Sequence, residues 1–132
     1  MKMLFLMIVI LFGFKGGLVL AESTVDAAAQ CKVFASTDFS LIPDAPTQIM
    51  ATEHIEATDK MPAYCQVQGY IAPNIGFELQ LPQDWNGKFI QMGCGGHCGS
   101  LRAQYCGPAL RKGYACIVSD MGHKSLGWDA KW

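Results

Sequence analysis

Short runs of alternating apolar and polar residues occupy the middle of the chain. The run from Ile75 to Leu81 is the clearest, because its two faces separate as they do in a half-buried β-strand. One face carries Phe77, Leu79 and Leu81, and the other carries Glu78 and Gln80. Similar patterns predict strands over Thr47–Ala57, Ala63–Ala72 and Lys88–Met92, whereas Phe39–Pro46, with two prolines and no periodicity, predicts a loop.

The second half of the chain predicts one strand–helix–strand unit. Its parts in order are the strand Lys88–Met92, the glycine cluster Gly93–Gly99, a helix over Ser100–Lys112 that Gly113 ends, and the strand Tyr114–Ser119. Pro108 lies inside the predicted helix, so the helix either begins or bends there. The last strand is apolar throughout, which favours burial on both faces. The pattern therefore indicates an α/β fold built around a βαβ unit.

The first 21 residues predict a secretory signal peptide. Lys2 precedes the apolar run Met3–Phe14, and small residues lead to a cleavage point between Ala21 and Glu22. Twelve apolar residues are too few for a membrane span, which needs about 20. We therefore expect residues 22–132 to form one domain, without a membrane segment, in the periplasm or outside the cell.

Composition and charge narrow the function classes. Hydrophobic types make up 51% of the chain and charged types 16%, which argues against a disordered segment. Removal of the leader with Lys2 and Lys15 leaves eight basic against eleven acidic residues, a formal net charge of −3. Because nucleic-acid binding needs a basic surface, no nucleic-acid partner is expected.

The cysteines predict disulfides, since an exported chain meets an oxidising environment. Six cysteines allow 15 pairings, and their spacing does not choose among them. Zinc is an alternative, because Cys94, Cys98, Cys106 and Cys116 lie in the same half of the chain as His97 and His123. An exported chain favours disulfides over zinc thiolates, so no metal is expected.

The glycine cluster is the strongest candidate for chemistry. Its glycines leave backbone N–H groups uncovered at a strand-to-helix turn, where they suit an anion or a developing oxyanion. A nucleotide-binding G-x-G-x-x-G frame is not completed, because its last position falls on Cys98. A tight turn closed by disulfides, without a binding role, remains the structural alternative.

Asp120 and His123 follow directly on the last predicted strand, where the polar residues of α/β sites gather. They fit a site wall that hydrogen-bonds loop backbone better than a proton relay. No G-x-S-x-G nucleophile motif is present: Ser119 has Ile117, and Ser100 has Cys98, at the first glycine position. No catalytic residue is therefore assigned in this chain.

Six motifs in order resemble the N-terminal part of the tannase and feruloyl esterase family of secreted α/β-hydrolases. They are Tyr64–Gly69, Ile75–Pro82, Trp85–Phe89, Gly93-Cys94-Gly95-Gly96, Ala109–Ala115 and Ser119–His123. The resemblance covers Cys31 to Trp132 and implies part of a mixed α/β-hydrolase sheet without the nucleophile strand and lid domain. It also implies that the strand Tyr114–Ser119 lies between its two neighbours, although Asn86-Gly87 by local chemistry predicts a hairpin there.

The resemblance implies carboxylic ester hydrolysis on aromatic acyl groups such as gallate or ferulate. In the family a serine attacks the ester, with a histidine as base and an aspartate that orients it. The loop that supplies oxyanion donors maps onto Gly95 and Gly96, and Cys31 and Cys65 resemble the family's N-terminal disulfide. The triad, the lid and its calcium site would lie downstream of Trp132, so neither cofactor nor turnover is expected in this chain.

Two further expectations follow. If the resemblance is misleading, the alternative is a small exported binding module held together by disulfides, without catalysis. If it holds, the strand Lys88–Met92 lacks the neighbour that the family places beside it. An apolar edge strand recruits other chains, so we expect the isolated chain to self-associate.

Overall fold

The computed structural model describes residues 27–125, so the predicted signal peptide, residues 1–21, lies outside the described residues. The elements in order are α1 (Ala27–Ser36), β1 (Thr47–Ile55), β2 (Tyr64–Ile71), β3 (Ile75–Pro82), β4 (Phe89–Met92), a 3₁₀ helix (Ala103–Cys106), α2 (Gly107–Leu110) and β5 (Ala115–Ser119). None of the helices in this part of the chain is long and apolar enough to cross a membrane. The five strands start and end within two residues of the predicted bounds.

The strands form one mixed sheet in the order β1-β2-β3-β5-β4. The first three form an antiparallel meander, β5 pairs antiparallel with β3, and β4 pairs parallel with β5. The hairpin that Asn86-Gly87 predicts is wrong, because β5 lies between β3 and β4. The Asn86 N–H instead donates to the Gly113 carbonyl at 2.9 Å, and its side-chain amide donates to the Lys112 carbonyl at 2.6 Å. This turn is therefore bonded to the connection that leads into β5.

The polar face of β3 is as buried as its apolar face. Glu78 and Gln80 are 7% and 6% exposed. The Glu78 carboxylate accepts hydrogen bonds from the side-chain amides of Gln68, at 3.0 Å, and Gln80, at 2.9 Å. A buried carboxylate needs such donors to offset the loss of water. Alternation predicted the strand correctly, but it did not predict that both faces are covered.

Helix α1 covers one face of the sheet and was not predicted. It crosses β1 and β2, where Cys31 forms a disulfide with Cys65 and Phe34 packs on the same cluster as Val67. The segment shows little helical periodicity, because few of its residues face the sheet and Val33 is 58% exposed. The Cα atoms of the bridged cysteines are 5.4 Å apart, within the usual range for a disulfide.

The predicted helix Ser100–Lys112 is wrong in its extent. Ser100–Arg102 is not helical, and the 3₁₀ helix is followed by only four α-helical residues, with Pro108 in their first turn. Proline lacks the N–H that a continuous helix needs, so it suits a helix start. A disulfide from Cys106 to Cys116, both fully buried, holds this segment against β5.

We expect the double substitution Cys31→Ser/Cys65→Ser to lower the free energy of unfolding by about 3–4 kcal/mol, because the bridge closes a loop of about 35 residues in the unfolded chain. Urea denaturation of the chain before and after the substitution measures this difference. Peptide mapping under non-reducing conditions provides the control: a free thiol at either position, or a link to another cysteine, would contradict the assigned pair.

Burial, followed by the negative charges of Glu78 and Glu53, raises the pKa of the Tyr64 phenol above its ordinary value of 10.0. The neutral phenol is therefore favoured in the folded state, so this contribution to stability is complete below the unfolded pKa and is lost as pH rises through the folded pKa. We expect the stability of the wild type to fall more steeply above about pH 10 than that of Tyr64→Phe. Parallel curves across this range, from urea denaturation at each pH, would contradict the prediction.

Candidate functional site

The candidate site lies at the edge of the sheet where β4 and β5 end. Because these strands are parallel, the loops that follow them leave the sheet on the same side. The first is the glycine loop, residues 93–99, and the second is the Asp120 loop, residues 120–125. Sequence order separates the two loops by about twenty residues, and the parallel pairing brings them together.

The glycine loop turns sharply through left-handed backbone. Gly95 and Gly96 have φ angles of 58° and 55°, and Cys98, with φ of 51°, is an unusual non-glycine residue in this region. The Cys98 N–H donates to the Gly95 carbonyl at 3.1 Å, and a disulfide joins Cys94 to Cys98. The loop is thus both a tight turn and a disulfide-closed ring.

Gly95 and Gly96 present open backbone. A Cβ atom on either residue would meet no atom within 4 Å, and both residues are exposed. Within residues 27–125, no backbone hydrogen bond uses the N–H of Gly95 or Gly96 as donor. Backbone donors of this kind, at the end of a parallel strand, suit a ligand oxygen that carries negative charge.

Ser125 connects the two loops. Its N–H donates to the Gly99 carbonyl at 3.0 Å, and its hydroxyl donates to the Cys98 carbonyl at 3.2 Å. Gly99 allows this approach, because a Cβ atom there would lie 2.5 Å from the Ser125 nitrogen. The C-terminal end of the glycine loop is therefore fixed to the Asp120 loop.

Asp120 joins the Asp120 loop to the start of β3. The residue is 4% exposed, and its Oδ1 atom accepts the N–H groups of Gly76 and Gly122, each at 2.9 Å. The Asn74 side-chain amide donates to the Gly122 carbonyl at 2.8 Å on the same loop. This geometry makes Asp120 a support for loop backbone.

His123 lies in the same turn. It is 5% exposed, and its N–H donates to the Asp120 carbonyl at 3.2 Å. The structure thus brings Asp120 and His123 to the same edge as Gly95 and Gly96. Their role as the wall of a catalytic site stays a prediction.

A separate apolar cleft of about 700 Å³ lies at the other edge of the sheet, between α1 and the end of β3. His54 lines it together with Phe34, Tyr64 and Trp85. His54 is half-buried, with its Nε2 atom 3.5 Å from a Glu56 carboxylate oxygen. Because His54 pairs with Cys65 and the latter with Leu81 near the end of β3, it lies far from Gly76 and the glycine loop.

The described residues contain no group of three or more His, Cys, Asp or Glu side chains that is placed to hold a metal ion. Cys94, Cys98, Cys106 and Cys116, the four cysteines of the zinc alternative, are paired in two disulfides. Zinc binds cysteine as a thiolate, so these pairs leave no such ligand.

Comparison with known proteins decides the family. The sequence profile described as "Tannase and feruloyl esterase" matches residues 56–131, more than half of the chain. The chain belongs to the tannase and feruloyl esterase family. This match extends over the glycine loop and the Asp120 loop, and it agrees with the motif order in the sequence.

Individual relatives are similar over part of their length. An uncharacterized esterase of Xanthomonas campestris pv. campestris is 32% identical over 120 residues, which cover 83% of this chain and 21% of that protein. Mono(2-hydroxyethyl) terephthalate hydrolase of Piscinibacter sakaiensis is 34% identical over 79 residues, covering 48% of this chain and 13% of that protein. The chain thus spans about a fifth or less of the length of these curated relatives.

The crystal structure of feruloyl esterase B from Aspergillus oryzae has a similar fold. The TM-score is 0.62 at 19% identity, with 76% of this chain and 23% of that chain covered. An esterase structure from the same organism gives the same TM-score at 18% identity. These structures confirm the predicted fold class, a mixed sheet that matches part of an α/β-hydrolase.

Sequence reasoning missed two residues that hold the site together. Ser125 gave no signal, because a serine in a polar loop has many possible partners. Gly76 is the second residue of β3, and the approach of Asp120 explains why it is glycine: a Cβ atom there would lie 2.6 Å from Asp120 Oδ2.

We expect Gly76→Ala to lower the free energy of unfolding by about 1–3 kcal/mol, because the new methyl group displaces the Asp120 carboxylate from its two N–H donors. Asp120→Ala should cost a similar amount. The double variant should cost less than the sum, since the clash and the carboxylate disappear together. Urea denaturation of the four proteins measures the coupling.

Gly93→Ala is the matched control for this set. Gly93 has no left-handed φ and no neighbour within 4 Å of a Cβ position, so its substitution should change stability by less than about 0.5 kcal/mol. Additive costs at Gly76 and Asp120, or an equal cost at Gly93, would contradict the assigned contact.

Proposed function

We propose that this chain is the N-terminal, oxyanion-donating part of a carboxylic ester hydrolase that acts on esters of aromatic acids. The nucleophile, base and orienting acid of that enzyme come from sequence outside these 132 residues. Gly95 and Gly96 supply N–H donors, and the Asp120 loop, with Asp120 and His123, forms the adjoining wall.

The open backbone of Gly95 and Gly96 is the observation that carries the proposal. Attack on an ester carbonyl places negative charge on its oxygen, and preorganised N–H donors stabilise that charge. Gly95 and Gly96 lie in the tight turn that follows β4, so their N–H groups need little reorganisation when the charge develops. Membership of the tannase and feruloyl esterase family supports ester hydrolysis as the reaction.

The acyl class rests on the names of the relatives. Feruloyl esterase B and mono(2-hydroxyethyl) terephthalate hydrolase both carry an aromatic acid in their names. An aromatic acyl ester is therefore the proposed small-molecule substrate.

Export is part of the proposal. Three disulfides among six cysteines favour an oxidising compartment, and the predicted leader would direct the chain there. The proposed location is the periplasm or the extracellular space.

A chimeric enzyme tests the oxyanion role. Residues 56–131 replace the matching segment of mono(2-hydroxyethyl) terephthalate hydrolase, and hydrolysis of that enzyme's substrate is measured. We expect a folded, active chimera in which Gly96→Pro lowers kcat by about 10²–10³, because proline lacks the N–H and cannot adopt the left-handed φ of 55° that presents it. Gly96→Asn is the matched control, because asparagine keeps the N–H and tolerates left-handed backbone, so kcat should change less than about tenfold.

Four outcomes contradict the proposal. A folded chimera without activity, or equal kcat in the proline and asparagine variants, would contradict the oxyanion-donating role of Gly95 and Gly96. If the chimera preferred aliphatic over aromatic esters, in contrast to the parent enzyme, the proposed aromatic acyl class would be contradicted. Turnover of methyl ferulate by the unmodified chain alone, lost in Ser119→Ala or Ser100→Ala, would show a nucleophile within these residues.

A further inference from the structure

Two of the three residues in the middle of the glycine loop are glycines. Between Cys94 and Cys98 the residues are Gly95, Gly96 and His97, and the first two have no side chain to pack. One backbone hydrogen bond, from Cys98 to Gly95, crosses the turn. The Cys94–Cys98 disulfide is the covalent closure of this turn.

One end of that disulfide follows a strand of the sheet, and the other end is bonded to the Asp120 loop. Cys94 follows β4 by two residues, and Met92 of β4 pairs with Val118 of β5. Cys98 is fixed through its carbonyl by the Ser125 hydroxyl at 3.2 Å. The disulfide therefore joins two supported positions in the chain, and Gly95 and Gly96 lie between them.

The three disulfides differ in burial. Cys106 and Cys116 are 0% exposed, and Cys31 and Cys65 are 2% and 7% exposed, so both bridges lie in the core. Cys94 and Cys98 are half-buried, and the loop between them is exposed. Thiol–disulfide exchange requires access to a sulfur atom, so a soluble thiol reaches the loop bridge first.

We propose that the Cys94–Cys98 disulfide is the element that positions the N–H groups of Gly95 and Gly96, and that a dithiol reductant releases this loop before it opens the two core bridges. The thiolate of the dithiol attacks one cysteine sulfur, forms a mixed disulfide and expels the other cysteine as a thiolate. The second thiol of the reductant then displaces the remaining cysteine. The reductant ends as a disulfide, and the chain has gained two electrons and two protons.

The order of the loop is measurable whether or not the loop binds an oxyanion. Although the catalytic meaning of the proposal rests on the proposed function, the positioning claim does not, so the two can fail separately. The readout is the NMR order parameter of each glycine N–H in the full ¹⁵N-glycine-labelled chain. Gly69 and Gly76, which lie in strands, serve as internal references.

We expect Cys94→Ser/Cys98→Ser to lower the order parameters of Gly95 and Gly96 from about 0.85 to below about 0.6, with Gly69 and Gly76 unchanged. Cys31→Ser/Cys65→Ser is the matched control and should leave Gly95 and Gly96 ordered. Order parameters at Gly95 and Gly96 that stay unchanged without the loop bridge, or that fall equally in both variants, would overturn the proposal.

Selective reduction of the wild type gives a second measurement that needs no variant. Stepwise addition of dithiothreitol, alkylation and peptide mapping should find Cys94 and Cys98 modified while the other four cysteines stay paired. The order parameters of Gly95 and Gly96 should fall in step and recover on reoxidation. Opening of a core bridge first, or a loop that stays ordered after its bridge is reduced, would overturn the proposal.

Discussion

The two backbone ladders of β5, one to β3 and one to β4, are the constraint on which the arrangement of this molecule depends. Because β4 and β5 are parallel, the chain leaves both strands at the same edge of the sheet, after Met92 and after Ser119. Because β3 runs antiparallel to β5, its start reaches that same edge and places Gly76 against Asp120. Backbone pairing alone therefore brings together the start of β3 and the loops that follow β4 and β5, although they are far apart in sequence.

Side chains then fix what the ladders bring together. The Asp120 carboxylate loses water on burial, and the two N–H donors that it gains offset this cost. Ser125 attaches the Asp120 loop to the glycine loop. The Cys94–Cys98 bridge closes the turn within the glycine loop. The resulting edge presents backbone donors on a supported loop, which is the property that an oxyanion site requires.

The strands were predictable because their signals are local. Alternation and turn residues defined all five to within two residues, and the resemblance to the family implied that β5 lies between β3 and β4. Helix α1 was missed because its contact with the sheet rests on few residues, chiefly Cys31 and Phe34. The predicted second helix was too long, since Pro108 and the Cys106–Cys116 bridge limit it to a short segment. In these cases tertiary contacts prevailed over periodicity.

The sequence by itself determined the candidate residues and the family: the glycines that permit left-handed backbone, the cysteines, the acidic residue after the last strand, and the order of motifs that resembles the family. The family resemblance implied the pair Cys31–Cys65, but only the tertiary structure decided how the other four cysteines pair, because a disulfide needs Cα atoms about 5–6 Å apart and that distance is a property of the folded chain. It likewise decided that Asp120 supports Gly76 and that Ser125 holds the glycine loop. Residue type is written in the sequence, whereas proximity between distant residues follows from strand pairing.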